Sequence, residues 1–371
     1  MLNDLHLRSV GPAPCFDVEF AERLNLFTGD NGLGKSFLLD IAWWALTGTW
    51  ADEPARPQRG LGVKPEIEYD VVGKAGRRRE PVTSRYDFRS QSWPRPRGRP
   101  AMPGLVIYVR VDGGFSVWDP ARNYWKSLPS QGIESPQRPA AYHFGARALW
   151  NGLESEDGRP LCNGLVRDWV SWQNQPEQGP SSPFVLLESV LAHLSPHPDE
   201  WMRPGRPTRV SIQDVRDIPT IDLPYGNVPV LLASAGMKRI LGLSYLLVWA
   251  WYEHTQASAL LNQPPSDRMI LLMDELEAHL HPQWQRMILP AMLTVARSLT
   301  KQVKTQVLAT THSPMVMASV EPGFDEQQDR AFLLILEGTN VKLMEYPWAK
   351  QGIGSLPGLP WNASICATTN E

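Results

Sequence analysis

The stretch GDNGLGKS, Gly29 to Ser36, constrains this chain more than any other eight residues. Apolar RLNLFT leads into it and apolar FLLDIAWWAL leaves it, so the segment reads as strand, glycine loop, helix. Gly29, Gly32 and Gly34 let backbone N–H groups turn inward, and the helix beyond adds its positive end. Asp30, Asn31 and Leu33 complete the loop, and Phe37 opens the helix. Such a cradle suits phosphate oxygens, with Lys35 in reach of the β- and γ-phosphates and the Ser36 hydroxyl on Mg²⁺.

A second stretch speaks to the same chemistry. RMILLMDE places Asp274 and Glu275 at the end of an apolar strand, and ligands of parallel sheets bind beyond the carboxyl ends of their strands. Asp274 is suited to hold Mg²⁺ through water, and Glu275 to orient or deprotonate an attacking water. His312, in ATTHSP, follows another apolar strand and is expected at the same sheet edge. His279 and His281 have an H-x-H spacing, but no third ligand stands nearby and Pro282 fits the first turn of a helix. A structural turn is the better reading of that pair than a metal site. Ser234 and Gly236, in LLASAGMKRI, precede a long apolar helix. They read either as a helix cap or as a surface for something negatively charged.

Around these motifs the chain divides. Residues 1–50 and 228–350 carry regular α/β patterning and are expected to form one ATP-binding core. Residues 51–227 are rich in proline, arginine and tryptophan and read as an insertion, β-rich and basic over 60–120, helical and Trp-rich over 140–215. Residues 351–371 read as a tail. Strands are expected at 2–10, 14–20, 66–72, 82–88, 105–111 and 114–118, and helices near 145–153, 162–173 and 184–194. One helix is expected after the stretch LLASAGMKRI, with its entry at Ser234 or Gly236, to run to about 262, and another to cover HPQWQRMILPAMLTVARSL.

Cys15, Cys162 and Cys366 are odd in number and widely spaced, which argues against a disulfide framework or zinc ribbon and fits a reducing compartment. The first ten residues lack a signal peptide's apolar core, and ILGLSYLLVWAWY falls short of the ~20 residues that span a bilayer. The expectation is a soluble, cytoplasmic protein. A net charge of -3 gives no overall attraction to nucleic acid, so any such contact needs a local patch.

Taken in order, GDNGLGKS, S-x-G, ILLMDELEAHLHP and ATTHSP resemble the ABC-type ATPase head. More narrowly they resemble the soluble branch of SMC, RecF and OLD-like proteins. DELEAHLHPQWQ is similar to wording in OLD-like and bacterial defence ATPases of the Septu PtuA type. The resemblance covers roughly 1–50 and 228–345. It implies a P-loop head of mixed sheet and flanking helices with an N-terminal antiparallel β lobe. It also implies ATP and Mg²⁺ as cofactors, with Lys35 and Ser36 on phosphate and metal and Asn31 shaping the loop. Asp274 would serve the metal, Glu275 the water, and His312 the γ-phosphate. Ser234 and Gly236 fall on the signature motif, which in the family contacts nucleotide held by the other protomer, so a head-to-tail homodimer is implied. The signature here reads A-S-A-G-M. The family's Q-loop glutamine is not placed by the sequence, with Gln91, Gln131 and Gln173 as candidates. No long coiled coil and no nuclease domain are evident.

Residues 74–99 hold nine cations, Lys74, Arg77, Arg78, Arg79, Arg85, Arg89, Arg95, Arg97 and Arg99, against Glu80 and Asp87, with Tyr86 and Trp93 interleaved. That pattern suits salt-dependent contact with a DNA backbone, or else a solvated hairpin face. Trp118, Trp125, Trp150, Trp169, Trp172 and Trp201 read as a small aromatic core rather than an interface. From the resemblance, the first expectation is an ATPase that gates a separate effector, nuclease-like, in an anti-phage or anti-plasmid complex. A RecF-like repair ATPase acting on DNA and an ATP-gated scaffold without turnover stay open beside it.

Overall fold

The computed structural model describes residues 1–60, 63–71, 81–94, 102–123, 140–176, 179–195, 202–299 and 303–346. In chain order the strands and helices begin with β1 (Leu2–Val10), β2 (Ala13–Glu19), β3 (Leu24–Gly29), α1 (Lys35–Thr47), β4 (Glu66–Val71) and β5 (Val82–Arg85). The middle of the chain supplies β6 (Leu105–Val109), β7 (Phe115–Trp118), β8 (Tyr142–Phe144), α2 (Ala146–Asn151), β9 (Leu153–Glu154) and β10 (Pro160–Cys162). It continues with α3 (Leu165–Gln173), α4 (Pro183–Leu194), β11 (Arg203–Pro204), β12 (Thr220–Leu223) and β13 (Gly226–Pro229). The last third holds α5 (Ala235–Leu260), β14 (Arg268–Met273), α6 (Pro282–Gln285), α7 (Ile288–Leu299), β15 (Lys304–Thr310), α8 (Pro314–Val320), β16 (Asp329–Glu337) and β17 (Asn340–Glu345).

Eight strands form the central sheet in the order β17-β16-β3-β15-β14-β6-β7-β8. The five from β16 to β6 are parallel neighbours, and antiparallel strands close both edges. Strands covered on both faces have no polar side to show, which is why RMILLM and LVIYV read as unbroken apolar runs. Their side chains alternate between two cores. Met269, Leu271 and Met273 face the layer of α3, α4, α5 and α7, while Ile270 and Leu272 face α1 and the β lobe. On β6, Leu105, Ile107 and Val109 take the first side, Val106 and Tyr108 the second.

The N-terminal lobe is a four-stranded antiparallel sheet, β2-β1-β4-β5. Buried Gln306 of β15 clamps it to the central sheet, because its amide accepts from the Leu2 N–H at 2.9 Å and donates to the Leu2 and Ala21 carbonyls. The two short sheets, β9-β10 and β11-β12-β13, lie outside these layers.

Two expectations change. The segment 51–227 is not a separate insertion on the core, because β6, β7 and β8 extend the central sheet and β4 and β5 complete the lobe. β6 pairs in parallel with β14 over five residues, and its apolar side chains cover a strand that would otherwise be a raw edge. The helix expected over HPQWQRMILPAMLTVARSL is two helices. Pro290 has no N–H to give the Arg286 carbonyl, so the chain restarts a helix at Ile288 and puts Pro290 in its first turn, where that donor is not needed.

The aromatic core reading holds for Trp169 and Trp172, both buried, with Trp150 half-buried against the same cluster, whereas buried Trp118 belongs to the core on the other face of the sheet. Trp125, Trp201, Cys366 and the tail 351–371 lie outside the described residues. Among the described residues, no helix is long and apolar enough to cross a membrane.

Candidate nucleotide site

The glycine loop sits where β3 ends and α1 begins. Gly29, Gly32 and Gly34 all have positive φ, and Gly34 caps α1 in the left-handed region. A Cβ on Gly34 would lie 2.6 Å from Pro12 in the β1–β2 turn, so the lobe itself demands glycine there. Lys35 is buried. Its ammonium donates to the Gly29 and Asp30 carbonyls at 2.9 and 3.0 Å, which holds the charge over the loop. Burial lowers the Lys35 pKa from its ordinary value, against the pull of Glu275, Asp274 and Glu277. Asp30, Asn31 and Gly32 are exposed at the loop's rim, Leu33 packs into the lobe core, and Phe37 packs beside that core.

One strand away, β14 delivers its carboxylates to the same edge. Asp274 is 2% exposed, and its Oδ1 accepts from the Ser36 hydroxyl at 2.9 Å and from the Thr310 hydroxyl at 2.6 Å. Burial pushes the Asp274 carboxyl above the usual carboxylate range, and those two hydrogen bonds oppose the shift. Its other neighbours are the Glu275 carboxylate and the Lys35 ammonium, so half-buried Ser36 and buried Asp274 set oxygen donors beside the glycine loop. Hard oxygen donors of that kind fit Mg²⁺ better than any softer metal. Glu275 has φ +43°, unusual for a side chain with a Cβ, and its N–H donates to the Thr310 hydroxyl at 3.0 Å. Residues in that region carry about 1–3 kcal/mol of strain and collect at functional sites.

His312 stands exposed at the end of β15, as expected. Its Nδ1 is 3.6 Å from Oε1 of Glu275 and 3.6 Å from Oε1 of Glu277. Thr310, Thr311 and Glu277 belong to the cluster and were missed from the sequence. Thr310 and Thr311 are hydroxyls at an apolar strand's end, and Glu277 falls two residues after Glu275. His281 caps α6, its Nδ1 accepting from the Gln283 N–H at 3.4 Å, and His279 is exposed with φ +65°. The pair therefore shapes a turn.

Asp40 lies one turn beyond Ser36 on the same face of α1. It accepts from the Tyr108 hydroxyl at 2.9 Å, and burial pushes its carboxyl up to about 6. The folded chain then binds this proton more tightly than the unfolded one. Stability from the group is full in acid and is lost as pH rises from the ordinary aspartate range through 6. Asp40→Asn, without nucleotide or divalent metal, is expected to melt higher than the native chain at pH 8, by roughly 1–3 °C. The gain should vanish near pH 4; a gain independent of pH would show that the charge is not its source.

Ser234 caps α5, its hydroxyl accepting from the Met237 N–H at 3.3 Å. Ser234 is exposed, and Gly236 is buried against the turn that follows β14, with the His279 carbonyl 3.2 Å from where a Cβ would stand. Of the Q-loop candidates, Gln91 is exposed in a turn, Gln173 donates to the Gly205 carbonyl from α3, and Gln131 lies outside the described residues. Neither Gln91 nor Gln173 stands at the carboxyl end of β6.

The basic stretch falls only partly within the described residues. Arg85 pairs with Glu66 across β4 and β5 at 2.7 Å, and Arg89 sits in an exposed turn. Lys74, Arg77, Arg78, Arg79, Arg95, Arg97 and Arg99 lie outside the described residues. Trp93, expected among the cations, is instead buried, donates to the Ala55 carbonyl and packs near Trp44 and Tyr86. An indole needs apolar cover and one acceptor, and the lobe supplies both.

Residues 221–318 match the family described as "AAA domain, putative AbiEii toxin, Type IV TA system". Among solved structures, the chain is similar to the SMC head domain from Thermotoga maritima, at 13% identity and a TM-score of 0.42, covering 93% of this chain and 98% of that one. It is also similar to an Smc head domain with an extended coiled coil bound to the C-terminal domain of ScpA derived from Pyrococcus furiosus, at 11% identity and 0.44, covering 93% and 96%. The recombination mediator protein RecF with ATP gives 11% and 0.42, covering 92% and 97%. Residues 221–318 are thus similar to an AAA domain, and the molecule's own topology sets a glycine loop one strand removed from an acidic strand end in a parallel sheet.

Proposed function

We propose that the protein binds MgATP between two heads arranged head to tail, hydrolyses it, and uses that cycle to gate a separate effector. The observation that carries the reading is the convergence of Lys35, Ser36, Asp274, Glu275 and His312 at one sheet edge, from three strands far apart in sequence. Gly29 to Phe37 cradle the phosphates, Lys35 neutralises their charge, and Ser36 with Asp274 holds the metal. Mg²⁺ held there would neutralise charge on the phosphate oxygens and so ease the approach of a nucleophile. Glu275 orients the attacking water and accepts its proton, while His312 faces the γ-phosphate. Lys35 keeps its place through the Gly29 and Asp30 carbonyls, so little is left to reorganise as charge develops.

The start of α5 supports the dimer in this reading. Ser234 and Gly236 lie at a helix start whose free N–H groups suit a phosphate held by a second protomer. Ser234→Arg is expected to leave ATP binding by the single chain within about threefold of native while blocking ATP-dependent dimers and turnover. Sedimentation and a steady-state phosphate assay read both. A mutant that still dimerises and hydrolyses normally would reduce the segment to a helix cap.

The effector and the defence setting rest on the sequence resemblance, supported by a matched family whose own description names a toxin–antitoxin system. Steady-state hydrolysis is the first test of the whole reading. Equal, near-zero rates in the native chain and Glu275→Gln would favour a scaffold that binds ATP without using it.

A further inference from the structure

We propose that Glu277 is a positioning residue that sets His312 beside Glu275, and so acts on hydrolysis through the histidine; this rests on the role given to His312 above. Glu277 is 3% exposed, in the turn after β14. A single oxygen, Oε1, accepts from the Thr311 hydroxyl at 2.5 Å and from the His312 N–H at 3.0 Å. The carboxylate thus grips the main chain of the histidine itself. With that N–H fixed, the ring is held where Nδ1 stands 3.6 Å from both carboxylates.

The grip is one stitch of a longer seam. Thr311 also accepts from the Ser313 N–H, the Ser313 hydroxyl donates to Gln285, and the Gln285 amide donates to the Leu280 carbonyl. The turn from Glu275 to Gln285 and the turn from Thr311 to Ser313 are therefore joined at both ends. Gly236 packs on the His279 carbonyl of the same turn, so the start of α5 bears on the seam as well. Among the described residues, the other Glu277 oxygen, Oε2, has no hydrogen-bond partner. Here the one that matters is the one on the His312 turn, and an amide oxygen at the same place should serve.

The test is a double-mutant cycle on the full chain, with kcat and KM measured for MgATP. Glu277→Ala should lower kcat ~20-fold with KM within ~3-fold of native, the pattern of an interaction made only in the transition state. Glu277→Gln, which keeps an acceptor, should recover at least about a third of the native kcat. Placed on His312→Ala, the Glu277→Ala change should cost less than ~2-fold further, because a residue that acts through another adds nothing once that other is gone. Multiplying losses with His312→Ala impaired would overturn the proposal and leave the His312 role standing. So would a rise in KM at unchanged kcat. A native rate in His312→Ala would overturn the His312 role and this proposal together. Should Glu277→Ala not fold, Thr311→Val removes one of the two donors and reads the same coupling to His312.

Discussion

Glu275→Gln is expected to bind MgATP as tightly as the native chain and to hydrolyse it ~10²–10⁴-fold more slowly, the span a positioned general base contributes. The geometry favours a clean result. The Glu275 N–H is held by the Thr310 hydroxyl, so the backbone that carries φ +43° does not depend on the carboxylate. Gln fills the same volume and removes only the base. The neighbouring Asp274 keeps its contacts with Ser36 and Thr310, so the metal-holding oxygens stay where they are. Single-turnover hydrolysis and equilibrium binding of labelled ATP separate the two effects. Loss of binding in step with loss of rate would mean that Glu275 holds the nucleotide rather than the water. An ATP-bound dimer that accumulates in this mutant would also supply material in which the Ser234 contact can be tested.

Lys35→Ala is expected to act a step earlier. Removing one member of a buried charge pair costs about 2–5 kcal/mol, so ATP affinity should fall roughly 30-fold or more. The fold should survive, because the lost bonds are to the Gly29 and Asp30 carbonyls of its own loop, and an ammonium held against burial's cost is removed with them. Thermal melting makes the distinction. Without nucleotide the mutant and native chains should melt within a few degrees. At an ATP concentration of 100 times the native Kd the native chain gains about 2.7 kcal/mol and the mutant should gain no more than about 0.9 kcal/mol. A mutant that melts far lower without nucleotide would mean that Lys35 is chiefly a structural residue. Retained affinity would place the phosphates elsewhere.

Much of the site was legible because its motifs are local. A glycine loop between an apolar strand and an apolar helix requires residues within one turn of each other, and so does the Ser234 cap on α5. The strands RMILLM and TQVLAT announced themselves through unbroken apolar character, and His312 and the Asp274–Glu275 pair followed from where such strands end. Glu277 escaped because its partners, Thr311 and His312, are 34 and 35 residues away, and the turn composition is the same with or without them. Trp93 looked like an aromatic among cations until the Ala55 carbonyl and its apolar neighbours were in place.

The sequence by itself determined what short-range physics controls: where backbone N–H groups turn inward, which strands are buried on both faces, and which helices begin on a cap. Tertiary structure alone decided which strand ends meet. It put β6 from the middle of the chain beside β14, divided the last long helical pattern between Gln285 and Ile288, and brought Ser36, Asp274 and Thr310 onto a common oxygen. The reason is one of range. A cap or a glycine turn is satisfied within three or four residues, whereas sheet order and register are chosen by how apolar faces from distant segments fill two cores at once.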